Sequence, residues 1–137
     1  MRASIVLALV ASALMSSCAH LPGQQPRELL VGQWQHKAKV LGDSKTSVWV
    51  FASDGSFTLT GLAKTRGMSA AYVPELGTWT LNASTLELRY LPSTSPDGTP
   101  PVARTETRRI VKLTDEEFVT ADAKYGIELA YRRVAPQ

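Results

Sequence analysis

From residue 28 onward, apolar side chains recur at every second position in short runs, and turn-forming residues break the runs at intervals of about 10 residues. Successive side chains on a strand point to opposite faces, so this pattern describes half-buried antiparallel strands and leaves no place for a helix of useful length. The expected strands are Gly32 to Val40, Thr46 to Ala52, Ser56 to Leu62, Gly77 to Leu81, Thr85 to Leu91, Val102 to Leu113, Phe118 to Ala121 and Ile127 to Val134. A single helical turn over Arg27 to Val31 leads into the first of them. Asp54-Gly55 is a strong tight-turn dipeptide, because glycine accepts positive φ without a Cβ clash. Residues 63–76 are expected to be irregular, since Gly67 and Pro74 oppose a continuous strand, and Pro92 to Pro101 reads as a proline-rich loop.

Consecutive strands with short connections pair most simply as an up-and-down meander, and closing that meander on itself removes its exposed edges. The expected fold is therefore all-β, a small antiparallel up-and-down barrel of about eight strands. Eight strands leave an interior wide enough for side chains or for one small ligand. The composition, 44% hydrophobic and 20% charged, suits a folded chain, and 137 residues allow one ordinary domain.

The first residues follow a different rule. Arg2 supplies a positive start and Ile5 to Leu14 is an unbroken aliphatic run, the length of a secretory h-region and too short to span a bilayer. Met15-Ser16-Ser17-Cys18 follows, with Met where Leu is usual, and it resembles the lipobox of bacterial lipoproteins. The resemblance implies a signal peptide over residues 1–17, cleavage before Cys18, and acylation of Cys18 with palmitate-type chains. Cys18 is the only cysteine, so an internal disulfide and a cysteine-based zinc site are both excluded. Two or more acyl chains anchor a protein stably, at about 0.8 kcal/mol per buried CH2. Ala19 rather than Asp after the cysteine implies, in the resembled class, transport to the outer membrane and a periplasm-facing position. Residues 18–27 then form the lipidated cysteine and linker, of which the eight residues Ala19 to Pro26 reach about 26–29 Å at full stretch. Cleavage would leave 120 residues with net charge +2, since only Arg2 is lost from the full chain's +3. Neither value implies a nucleic-acid partner.

Residues 28–134 resemble the lipocalin-like domains of bacterial envelope proteins. The resemblance rests on Leu30-Val31-Gly32-Gln33-Trp34 at the first strand, Phe51 to Phe57 (FASDGSF), Gly77-Thr78-Trp79 and Leu113-Thr114-Asp115-Glu116. It implies that Gly32 and Trp34 are fold residues, with Trp34 at the closed end of the barrel beneath an arginine of the last strand, Arg132 or its neighbour Arg133.

No catalytic set is visible. His36 is the only histidine in the body and has no activated serine or cysteine beside it in sequence, Asp115-Glu116-Glu117 reads as a solvated turn, and no metal-binding or phosphate-loop spacing occurs. No cofactor or metal is expected, and an enzymatic role has nothing specific behind it. Trp49, Phe51, Phe57, Tyr90 and Tyr131 would line the interior, together with Leu59, Leu86, Leu88, Phe118 and Leu129, either as plain core or as a ligand cavity. If Val111 and Leu113 face inward, strict alternation brings Arg109 inward too, where it would anchor an anionic headgroup; otherwise it joins an outward basic stripe. The functional expectation is a membrane-anchored envelope lipoprotein that binds a small apolar or amphipathic ligand or acts as an envelope interaction module. The alternatives are a tethered inhibitor of an exported hydrolase, working through Met68 to Glu75 and Pro92 to Pro101, and a purely structural lipoprotein.

Overall fold

A computed structural model describes residues 25–93 and 102–135; the signal segment, Cys18 and most of the tether lie outside the described residues. One short helix, α1 (Pro26–Leu30), precedes nine antiparallel strands: β1 (Gly32–Val40), β2 (Asp43–Phe51), β3 (Ser56–Thr65), β4 (Met68–Ala71), β5 (Glu75–Asn82), β6 (Thr85–Tyr90), β7 (Arg104–Leu113), β8 (Glu117–Asp122) and β9 (Glu128–Arg133). The ladder runs β2-β1-β9-β8-β7-β6-β5-β3-β4, and β2 also pairs with β3. That second pairing closes an eight-stranded barrel and leaves β4 outside it, attached to β3 alone.

Closure is complete at one end. Trp34, Trp49, Phe51, Phe57, Trp79, Leu86, Leu88, Tyr90, Phe118 and Tyr131 all point inward and are buried, with Leu30 of α1 beneath them. The rings meet edge-on or stacked: Phe118 lies 4.5 Å from Tyr131 and Trp34 4.9 Å from Phe118, centroid to centroid. Such contacts add about 0.5–1.5 kcal/mol each to the area buried. Trp34 donates its indole N–H to the Leu30 carbonyl at 2.8 Å, and Trp79 donates to Ala52 at 3.1 Å, so the polar ends of both rings are satisfied inside the core.

The arginine over Trp34 is Arg133, not Arg132. Its guanidinium lies 4.2 Å from the indole centroid and donates to the carbonyls of Val31 at 2.9 Å and Leu29 at 2.5 Å. A third bond goes to the Asp115 carbonyl of the β7–β8 turn. Arg132 points to solvent. Gly32 has φ of 135°, and a Cβ there would occupy the space taken by the Arg133 guanidinium, so glycine is required on both counts.

Two segments differ from the sequence expectation. Residues 63–76 are largely ordered strand: β3 runs on to Thr65, and Arg66-Gly67, both at positive φ, turn the chain into β4. That is the backbone of a two-residue primed hairpin turn, so Gly67 marks a turn rather than an irregular stretch. Leu41-Gly42 makes the same turn between β1 and β2, which therefore starts at Asp43.

Candidate functional site at the open end of the barrel

The side chains that face the interior of β7 are Glu106, Arg108, Ile110 and Leu113. The pairing with β8 shifts by one residue between Ile110 and Lys112, so Val111 is a bulge, exposed together with Lys112. A bulge reverses the alternation beyond it. Leu113 consequently faces in while Arg109 faces out, because the extra residue between them breaks the alternation that would place both inside. Arg109 is exposed and anchors nothing in the interior; Arg108 takes the inward place.

Arg108 is already committed. Its Nε donates to Glu106 Oε1 at 2.6 Å and its Nη1 to Thr120 Oγ1 at 3.3 Å, while Tyr90 donates its hydroxyl to Glu106 Oε2 at 3.0 Å. Arg104 lies 3.8 Å above the Tyr90 ring and 3.2 Å from Glu75, linking the inner pair to the rim. Burial, followed by the neighbouring Glu106 carboxylate, pushes the Tyr90 hydroxyl well above the usual tyrosine range, and burial raises Tyr131 as well. These groups form a neutralised, hydrogen-bonded layer across the top of the aromatic core. Among the described residues no buried side-chain polar atom lacks a partner.

The interior below that layer is full. The space bounded by Trp49, Phe51, Leu86, Leu88, Arg108, Phe118, Thr120 and Tyr131 has no room for a water molecule. Trp49, Phe51, Phe57, Tyr90 and Tyr131 therefore pack on one another rather than around a cavity. In the sequence only the Gly77-Thr78-Trp79 motif marks Trp79, and the structure buries it as deeply as Trp34.

Open space lies above the layer. A groove of about 350 Å³ runs over Lys45, Ser47, Leu59, Gly61, Tyr72, Glu75 and Ser93 at the mouth. Gly61 is needed there because the Tyr72 ring packs where a Cβ would stand. Beyond the mouth, the outer parts of β1, β2 and β3, with β4, continue as a four-stranded sheet that does not close. Of the β1 residues, only Trp34 and Gln35 are in register with β9. From Trp34 to the Val40 tip the strand extends about 20 Å. This projecting sheet carries Lys37, Lys39, Lys45, Lys64 and Arg66 against Asp43 alone. None of the five cations makes an ion pair among the described residues. Leu41 is fully exposed at the β1–β2 tip with φ of 49°, Val40 before it is largely exposed, and so is Met68 after the separate β3–β4 turn.

Fold and open end together define a closed antiparallel β-barrel with a filled interior and a basic, partly apolar projecting sheet. No protein-family model matches the chain, and no curated protein matches it. Among solved structures it is similar to an uncharacterized protein from Bacteroides eggerthii, at 15% sequence identity and a TM-score of 0.49, over 76% of this chain and 98% of that one.

Proposed function

We propose that this chain is a lipid-anchored envelope protein whose barrel works as an interaction module, presenting its open end to a partner and enclosing no ligand. The filled interior carries the choice: a binder of a small apolar molecule needs an open cavity, and here the aromatic core and the Tyr90–Glu106–Arg108 layer occupy that volume. Polarity of the chain supports the orientation. The N-terminal helix, the β2–β3 and β7–β8 turns and the last strand gather at the closed end, where Arg27 reaches the Ser53 carbonyl and Arg133 the Asp115 carbonyl. Gln25, the first described residue, caps α1 at this end, so a lipid anchor at Cys18 would hold the closed end towards the bilayer and leave the projecting sheet facing away.

Leu41 supports the same reading. A leucine at positive φ costs about 1 kcal/mol relative to glycine, and its side chain recovers nothing while in water. A strained, fully exposed leucine at a tip is a reason to look for a contact there. A photo-crosslinking residue at Leu41 in the native envelope should capture a partner protein, whereas one at Asp54 of the closed end should not. Equal yields from both positions, or none from Leu41, would remove the module. Loss of labelled palmitate in Cys18→Ser checks the anchor separately.

A further inference from the structure

We propose that the free edge of β4 accepts an extended, acidic peptide segment as an added strand. The inference rests on the docking role of the open end and names the partner chemistry.

The hairpin geometry decides which backbone groups are free. With Arg66-Gly67 as a two-residue turn, Thr65 and Met68 form its hydrogen-bonded pair, and every second residue along β4 bonds back to β3. The Tyr72 N–H donates to the Gly61 carbonyl at 2.8 Å, in step with that alternation. Ser69 and Ala71 therefore turn their N–H and C=O groups away from β3, and no other strand among the described residues pairs with β4. All four β4 residues are exposed.

The two edges of the projecting sheet are treated differently. At the β1 edge the same alternation turns Lys37 and Lys39 outward along the backbone, and edge lysines are a common obstacle to strand addition. At the β4 edge the corresponding residues are Ser69 and Ala71, whose small side chains leave a second backbone free to approach to the usual 4.7–4.9 Å, about one strand spacing. Lys64 stands directly across from Ser69 on the same face, with Arg66 in the turn beside it. A carboxylate on the incoming strand opposite Ser69 would reach over that small side chain to Lys64. A second copy of this chain would bring its own Lys64 and Arg66 against these, so like charge disfavours self-pairing and favours an acidic segment.

The test uses the full chain in neutral-detergent micelles with two blocked octapeptides, (Glu-Val)4 and (Lys-Val)4. The acidic peptide should slow amide hydrogen exchange at Ser69 and Ala71 at least tenfold, and the basic one should not. Lys64→Glu and Ala71→Pro should each weaken acidic-peptide binding at least tenfold, while the surface change Lys124→Glu leaves it unaltered. Ala71→Pro removes an N–H that β3 does not use, and Lys64→Glu alters only an exposed side chain, so one variant decides the matter if the other fails to fold. No protection at Ser69 and Ala71, equal protection by both peptides, or undiminished binding by both variants would overturn the proposal. So would binding to 3:1 phosphatidylcholine–phosphatidylglycerol vesicles without binding to the acidic peptide. Crosslinks from Leu41 that persist in Ala71→Pro would retain the interaction module and discard the β4 edge.

Discussion

Arg133 holds the closed end of the barrel through a stacked indole and three carbonyls from two separate segments, α1 with its following residue and the β7–β8 turn. Lysine cannot reproduce that planar fork. Arg133→Lys should therefore cost about 2–3 kcal/mol in urea unfolding, from hydrogen bonds to a charged group and the cation–π contact. The exposed Arg132→Ala should stay within about 0.5 kcal/mol. Similar losses at the two positions would contradict the assignment of Arg133 as the closing residue. Tyr90 gives a second expectation at this scale. The unfolded chain ionises tyrosine near pH 10, while burial and Glu106 hold the folded hydroxyl neutral to higher pH. The unfolded state loses its proton first, so Tyr90's contribution is whole below about pH 10 and declines as pH rises toward the raised folded value. Unfolding free energy measured from pH 8 upward should fall above that point, and Tyr90→Phe should flatten the fall.

At the scale of the element, β7 is where alternation and reality part. One extra residue at Val111 keeps Ile110 and Leu113 both in the core, which unbroken alternation does not allow. The same bulge puts Arg108 in the interior, beside Glu106 and Thr120, with Arg109 in water. Removing one member of a substantially buried pair strands its partner, so Arg108→Met should cost about 3 kcal/mol. Changing Glu106→Gln in the same chain should recover part of that loss, because the stranded carboxylate is gone. Arg109→Gln should be close to neutral in the same assay, and a large loss there would contradict its outward position. β4 shows the complementary case. Gly67, after Arg66 at positive φ, joins β3 and β4 into a hairpin instead of interrupting a strand.

For the molecule as a whole, the decisive property is that closure and occupancy coincide. Three tryptophans, with phenylalanines and tyrosines, fill the closed end of the barrel. A fluorescent long-chain fatty acid that absorbs tryptophan emission should accordingly produce no saturable energy transfer from Trp34, Trp49 or Trp79 when titrated into the protein. Saturable transfer with one-to-one stoichiometry would mean that the core opens to admit it. What remains available is the sheet beyond the mouth, with exposed Leu41 and Met68 and, among the described residues, five cations without an ion pair and a backbone edge without a partner strand.

Period-two alternation and regularly spaced turns were enough to specify an all-β barrel, because a strand's two faces read directly as alternating residue types. Most core aromatics were legible for the same reason, whereas Gly32 and Trp34 were marked by the motif Leu30-Val31-Gly32-Gln33-Trp34. The parity of β7 was not, since a bulge is one residue of pairing mismatch and leaves no mark in the strand's own composition. Nor was the choice between Arg132 and Arg133, which depends on where β9 meets β1 and the β7–β8 turn. The distinction between a cavity and a filled core also had to wait for the folded chain. The same ten inward side chains serve either outcome, and only their rotamers and the barrel's width determine whether space is left between them.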